Sequence, residues 1–98
     1  MKFISDYPEF GGSAKDSVND HIGVKNSNKS KILEYLNGFD PVAVRCSHIY
    51  DHVADQRTNL STFIYSDDVY KWNSSEIYHF EKYDMELDKD FIEYVMSK

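Results

Sequence analysis

Histidine and aspartate residues in one short segment come nearest to a catalytic arrangement. His48 and His52 are four residues apart, and Asp51 and Asp55 lie beside them. On a helix, two histidines at this spacing share one face and can bind a zinc ion, with a carboxylate as a third ligand. A small metal-dependent hydrolase is therefore one hypothesis for the chain, and it would need a further ligand such as His79.

The secondary structure expected for this segment argues against that site. The pattern of residues 42–49 is typical of a strand, with β-branched residues at its start. Residues four apart on a strand share a face but lie about 13 Å from each other, which is too far for one metal ion. The glutamate of metalloprotease zinc helices is also missing from the segment. We therefore predict no metal site, no cofactor and no enzymatic activity.

Cys46 is the only cysteine of the chain, so no internal disulfide can form. A reducing cytoplasm is the expected compartment, and Cys46 is expected to act as a small hydrophobic residue rather than a nucleophile. The sequence contains no glycine-rich phosphate loop, nucleophile elbow or paired-cysteine motif. Nor does it show a signal peptide or an apolar run long enough to cross a bilayer.

The distribution of charge favours a binding protein. The chain has 17 acidic residues and 11 lysines and arginines, a net charge of −6. From Tyr65 onward, nine acidic residues and four lysines give −5, so the last third carries most of the excess. This excess disfavours direct contact with nucleic acid or anionic lipid, both of which need lysine and arginine. It favours solubility and a basic protein partner.

The expected contact surface combines carboxylates with aromatic side chains and a histidine from the same third of the chain. Its carboxylates are Asp67, Asp68, Glu76, Glu81, Asp84, Glu86 and Asp90, and its other members are Tyr70, Trp72, Tyr78 and His79.

The fold predicted to position these residues is α+β. A helix begins at Asn28 or Ser30 and ends at Asn37-Gly38, where glycine favours termination. A three-stranded antiparallel sheet is expected from residues 42–49, 61–66 and 69–73, with residues 53–59 as a polar connection. The N-terminal helix and two C-terminal helices pack on this sheet.

Capping residues define the two C-terminal helices. Asn73 and Glu76 have the spacing of a reciprocal cap at the start of the first, and Asp88 caps the second. We expect a single domain over residues 1–98. Residues 1–29 are expected to form a loosely packed arm, with a short helix over residues 13–21.

The C-terminal two thirds of the chain resemble a group of small bacterial proteins. They share a hairpin with an aspartate-rich turn, a tryptophan, a helix reading roughly IYYFEKY and a closing L-x-x-x-F-I helix. Here the corresponding runs are SDDVYKW, IYHFEKY and Leu87-Asp-Lys-Asp-Phe91-Ile92; Asp68 stands where glycine is expected, and His79 replaces an aromatic residue. These proteins resemble immunity proteins, which neutralise a toxin made by the same or a sibling cell.

The resemblance implies an acidic inhibitor that occludes the active site of a toxin, most specifically a nuclease. Such an inhibitor gains rapid, steered association with a basic surface. A phage-type inhibitor that mimics nucleic acid and blocks a defence protein fits the size and charge equally well, and an accessory subunit of a larger enzyme is a further alternative. We expect a monomer or a weak homodimer.

Overall fold

A four-stranded mixed sheet, in the order β1-β4-β3-β2, forms the frame of the protein. The computed structural model describes residues 2–98. The strands are Lys2–Phe3 (β1), Ala43–Asp51 (β2), Gln56–Ser66 (β3) and Tyr70–Asn73 (β4); the helices are Lys29–Leu36 (α1), Ser74–Tyr83 (α2) and Lys89–Met96 (α3). Single 3-10 turns occur at Pro8–Phe10 and Val18–Asp20. The fold is therefore α+β, as predicted.

The sheet differs from the prediction of three antiparallel strands. Strand β1 pairs in parallel with β4, with Lys2 opposite Tyr70 and Phe3 opposite Lys71. A two-residue strand leaves no alternating pattern in a sequence, so it could not be recognised there. The connection expected over residues 53–59 is also shorter, because β3 already begins at Gln56 and continues the ladder with β2.

The N-terminal segment belongs to the core, which corrects the expectation of a loosely packed arm over residues 1–29. Ile4 and Val18 are fully buried and Tyr7 is nearly so. The helix expected over residues 13–21 is reduced to the 3-10 turn Val18–Asp20, in which the Asn19 N–H donates to the Ser17 hydroxyl. Met1 lies outside the residues that the structure describes.

Helices α1, α2 and α3 pack with β4 around one aromatic cluster. Trp72 lies at its centre and donates its indole N–H to the Leu36 carbonyl at 3.3 Å. Phe91 contacts Trp72 and Tyr70, with ring centroids 6.3 and 4.9 Å away. The three helices have eight to ten residues, and within residues 2–98 none has the length and apolar character needed to cross a membrane.

The predicted caps are confirmed. Asn73 accepts from the Glu76 N–H while Glu76 accepts from the Asn73 N–H, a complete capping box. Asp88 accepts from the Asp90 N–H at the start of α3. Asp68 takes a left-handed conformation (φ 75°) in the β3–β4 turn, so aspartate fills the position where glycine was expected.

Candidate functional site

Four of the residues expected to contact a partner are buried. They are Tyr70, Trp72, Glu76 and His79. For Glu76 and His79 the expected accessibility was wrong, because the sequence interpretation placed them on a solvent-facing side of α2. The N-terminal segment covers that side, with Ser5 bonded to Glu76 and Phe10 packed on His79. These four side chains therefore stabilise the fold.

The Glu76 carboxylate has internal partners for both of its oxygens. It accepts from the Asn73 backbone N–H at 3.1 Å and from the Ser5 hydroxyl at 2.5 Å. Burial raises the pKa of Glu76 to about 7, against the opposing effect of these two hydrogen bonds. Glu76 is thus a structural carboxyl group held beneath the N-terminal segment.

The His79 ring is held by two backbone groups. Its Nδ1 lies 2.7 Å from the Ser75 carbonyl oxygen, and its Nε2 lies 3.0 Å from the backbone nitrogen of His52. These contacts fit the neutral tautomer, with Nδ1–H donating and Nε2 accepting. Burial also lowers the pKa of His79. Both nitrogens are used, so His79 cannot serve as the additional metal ligand that the hydrolase hypothesis requires.

The remaining residues of that hypothesis are only partly brought together. His48 and His52 line one hollow of about 330 Å³, together with Glu9 and Tyr50. Asp51 is turned away and is bonded to other side chains (see Discussion). Among residues 2–98, no group of three or more histidine, cysteine, aspartate or glutamate side chains is arranged to hold a metal ion.

Asp67 is a structural centre of the β3–β4 turn rather than a free carboxylate at its tip. Its Oδ2 accepts from the Tyr35 hydroxyl at 2.5 Å and the Tyr94 hydroxyl at 2.8 Å. Burial alone would raise the pKa of Asp67, but its hydrogen bonds, led by that of Tyr35, lower it. Asp67 therefore joins the turn to α1 and α3.

Two further candidates are held by neighbours. Asp84 pairs with Lys29 at 2.6 Å, and Tyr78 donates its hydroxyl to Asp51 at 2.7 Å. Four candidates remain exposed: Asp68, Glu81, Glu86 and Asp90. Of these, Glu86 lines a concave surface, which makes it the starting point for a site.

The concave surface is a groove of about 380 Å³ between the N-terminal segment and the connection from α2 to α3. We call it the acidic groove. Its titratable side chains are Asp6, Tyr7, Asp16, His21, Glu86, Asp88 and Lys89. Four carboxylates thus face one lysine and one histidine, and a neighbouring hollow adds the carboxylate of Asp90 and the ammonium group of Lys2.

Backbone hydrogen bonds fix the two sides of the acidic groove to each other. The Asp88 N–H donates to the Ile4 carbonyl at 2.8 Å, and the Glu86 N–H donates to the His21 carbonyl at 2.8 Å. The Tyr7 hydroxyl also donates to the Glu86 carbonyl at 2.7 Å. Residues 86 and 88 are therefore clamped by both ends of the N-terminal segment, and their side chains are positioned by main-chain geometry.

Gly12 allows the N-terminal segment to fold back on itself beside the groove. A Cβ atom at position 12 would lie 2.2 Å from the carbonyl carbon of Asp6. The same fold is held by the Ala14 N–H, which donates to the Asp6 carbonyl at 2.9 Å. The Asp6 carboxylate in turn accepts from the Ser13 N–H at 2.9 Å. The position of Asp6 on the rim thus depends on a residue without a side chain.

His21 bridges two carboxylates of the acidic groove. Its Nε2 lies 3.1 Å from Asp16 Oδ2, and its Nδ1 lies 2.9 Å from Glu86 Oε1. Hydrogen bonds to Asp16 and Glu86 raise the pKa of His21. The groove therefore favours a positive charge between these two acidic side chains.

Tyr7 reports the same negative potential from the floor of the groove. Burial, together with the negative charges of Glu86 and Asp16, raises the pKa of Tyr7 to about 12. The tyrosine ring also lies against His21, with centroids 5.6 Å apart. An ammonium or guanidinium group is the chemistry that such a surface would accept.

Of the four carboxylates of the acidic groove, the sequence interpretation selected Glu86 as a contact residue and used Asp88 only as a helix cap. Glu86 and Asp90 were candidates because they belong to the acidic third of the chain. Asp6 and Asp16 were not, because the N-terminal segment has no clear periodicity, and only tertiary hydrogen bonds bring it beside α3. No local signal in the sequence could have placed these carboxylates together.

Comparison with known proteins gives no relative: no protein-family model, no curated protein and no solved structure matches the chain.

Proposed function

We propose that this chain is an acidic protein-binding module that receives basic side chains of a protein partner in the acidic groove. The observation that carries the proposal is the convergence of Asp6, Asp16, Glu86 and Asp88 on one concave surface. Carboxylates grouped in this way bind lysine and arginine side chains and speed the approach of a basic surface.

The most specific form of this proposal is an immunity protein acting in the cytoplasm. It would inhibit a toxin, most specifically a nuclease, by covering the basic site at which the toxin grips phosphates. The acidic groove would then occupy positions that phosphate groups take in the substrate complex. The resemblance of the C-terminal runs to bacterial immunity-type proteins is the second support.

A pull-down with charge-matched baits tests the binding role. In the first bait, the four groove carboxylates are neutralised by Asp6→Asn, Asp16→Asn, Glu86→Gln and Asp88→Asn, which preserve side-chain size. The control bait carries Asp20→Asn, Glu34→Gln, Asp40→Asn and Glu93→Gln, at exposed positions outside the groove. Both baits have a net charge of −2, so they differ in where charge was removed and not in how much.

We expect wild-type and control baits to retain one basic protein in stoichiometric amount, and the groove variant to lose it. Retention should weaken as salt is raised, because surface charges are screened. The recovered partner is then assayed for nuclease activity with and without the chain, which separates toxin inhibition from binding alone. Equal retention by both variants would place the contact surface outside the groove, and partner activity unaffected by the chain would contradict the inhibitor role.

A further inference from the structure

Strand β2 lies at an edge of the sheet, and most of its residues are exposed to solvent. It is the last strand of the sheet and, in the part of the chain that the structure describes, pairs with β3 alone. The six residues from Ala43 to His48 are all exposed, so the strand is open on both faces as well as along its outer edge. A strand normally buries alternate residues, because one face packs on the core.

Apolar side chains are concentrated at this exposed edge. Val42 is 65% exposed, Val44 is 63% exposed, and Leu60 on the adjoining strand is 52% exposed. Natural edge strands are commonly protected by lysine, proline or a covering segment. From Ala43 to His48 the protection is limited to the charged side chain of Arg45 and to the irregularity of the ladder that follows it. An open strand edge with valines is the usual starting point for addition of another strand.

Charge restricts the strand that can be added. Each chain carries −6, so two copies repel each other wherever their carboxylates face. The sequence has no acidic residue from Pro41 to Tyr50, and none from Gln56 to Ser66. Asp51, at the end of β2, is fully buried. The two strands thus form a part of the surface where a second copy can approach without opposing carboxylates.

We propose that β2 pairs in antiparallel orientation with β2 of a second copy of this chain, on a twofold axis at Val44. An antiparallel edge pair is self-complementary, which suits the common twofold dimer. This register sets Val44 opposite Val44 of the second copy and Arg45 opposite Ala43, so that the two arginines do not face each other. The residues Ala43 to Arg45 also form the regular stretch of the ladder with β3 before its first irregularity.

The dimer is weak, because pairing of one short strand covers less area than a standard interface of about 1,600 Å². Sedimentation velocity over a wide range of protein concentration measures it directly. The wild-type chain should pass from monomer to dimer as concentration rises. Val44→Lys should remain monomeric, since two lysines on the twofold axis repel each other. Val69→Lys is the matched control and should dimerise like wild type. Val69 is 42% exposed and lies in the turn between β3 and β4.

Cysteine pairing tests the register. Directly opposed residues of antiparallel strands have Cα atoms about 4.5–5.5 Å apart, a separation that a disulfide can span. Val44→Cys in a Cys46→Ser background should therefore give a disulfide-linked dimer on mild oxidation. Val69→Cys in the same background should not. Wild-type Cys46 should also fail to cross-link, because in this register the two Cys46 residues lie about 13 Å apart.

Two results would overturn the proposal. If the wild-type chain stays monomeric at the highest concentration reached, β2 does not pair with a second copy, and its edge would be available only to a strand of another protein. A dimer that survives Val44→Lys, or that cross-links through Cys46 as readily as through position 44, would show a different interface. Neither result depends on the acidic groove, since none of the groove residues lies on β2.

Discussion

Asp51 and Asp67 accept the same set of hydrogen bonds, one at each of the two hairpin turns that flank β3. Asp51 Oδ1 accepts from the N–H groups two and three residues later at 3.0 and 2.7 Å, and Asp67 Oδ1 does so at 2.9 and 2.6 Å. Each Oδ2 accepts from two tyrosine hydroxyls, those of Tyr78 and Tyr83 at Asp51 and those of Tyr35 and Tyr94 at Asp67. Each hairpin turn is thus tied to helices through one carboxylate.

Neutralising either carboxylate should destabilise the fold. We expect Asp51→Asn and Asp67→Asn each to lower the free energy of unfolding by roughly 2–3 kcal/mol, because hydrogen bonds to a charged acceptor are lost inside the protein. Asp68→Asn is the control: Asp68 is exposed, asparagine tolerates its left-handed backbone, and the change should stay within about 0.5 kcal/mol. Urea denaturation at neutral pH measures all three.

The destabilisation caused by Asp51→Asn should disappear in acid. Burial alone would raise the pKa of Asp51, but hydrogen bonds from Ala54, Tyr83, Tyr78 and Val53 hold it at about 2, below the ordinary 3.8. The ionised form therefore stabilises the fold above pH 3.8, and this stabilisation is lost as the pH falls through about 2. The difference in the free energy of unfolding between wild type and Asp51→Asn should decrease over that pH range. A constant difference would contradict the lowered pKa of Asp51.

Glu76 should give a pH dependence of opposite sign. Its pKa in the folded state is raised by burial from 4.5 to about 7, so the folded protein binds a proton more tightly than the unfolded chain. The resulting stabilisation is complete below pH 4.5 and is lost as the pH rises through about 7. In Glu76→Gln this loss is absent. The stability of the variant relative to wild type should therefore increase by roughly 2–3 kcal/mol between pH 5 and pH 8.

Histidine titration does not confuse this measurement. Burial lowers the pKa of His79, so its contribution to stability decreases as the pH falls below the ordinary 6.5. That loss occurs in wild type and in Glu76→Gln alike and cancels in the difference between them. Equal pH profiles for the two proteins would show that Glu76 is ionised in the folded state.

Removing either large aromatic side chain of the core should cost substantial stability. Trp72 and Phe80 are fully buried, so Trp72→Ala and Phe80→Ala should each lower the free energy of unfolding by roughly 3–5 kcal/mol through lost burial and an unfilled cavity. Val69→Ala removes an apolar side chain that is 42% exposed and lies outside the β2 edge, and it serves as the control. A decrease of less than about 1 kcal/mol in the free energy of unfolding of Trp72→Ala would mean that Trp72 is not closely packed in a buried cluster.

Gly12→Ala should damage the acidic groove from its N-terminal side. The added methyl group meets the Asp6 main chain at 2.2 Å, and backbone atoms cannot rotate away as a side chain can. We expect a loss of roughly 1–3 kcal/mol, seen as a lower melting temperature. Gly11→Asn is the control, because position 11 has open space and asparagine accepts its φ of 86°. Equal melting temperatures for Gly12→Ala and wild type would refute the close approach.

The helix caps predicted from local signals were correct, the helix expected over residues 13–21 was not, and long-range contacts were not visible in the sequence. The Asn73–Glu76 cap was predicted because both partners lie within one helical turn. The burial of Glu76 was missed, because it depends on Ser5, 71 residues away in the chain. Asp67 was placed in the correct turn, but its bonds to Tyr35 and Tyr94 depend on how helices at either end of the chain pack. Spacing along the sequence carries no record of such contacts.

The bond between the Tyr7 hydroxyl and the Glu86 carbonyl has a consequence for the order of events during synthesis. These residues are 79 positions apart, and the N-terminal segment finds its other anchors in the same late region. The N-terminal segment therefore cannot take its native position until residues 86–88 have been synthesised. Folding should therefore proceed as one cooperative step, without a stable intermediate in which the N-terminal segment is packed by itself.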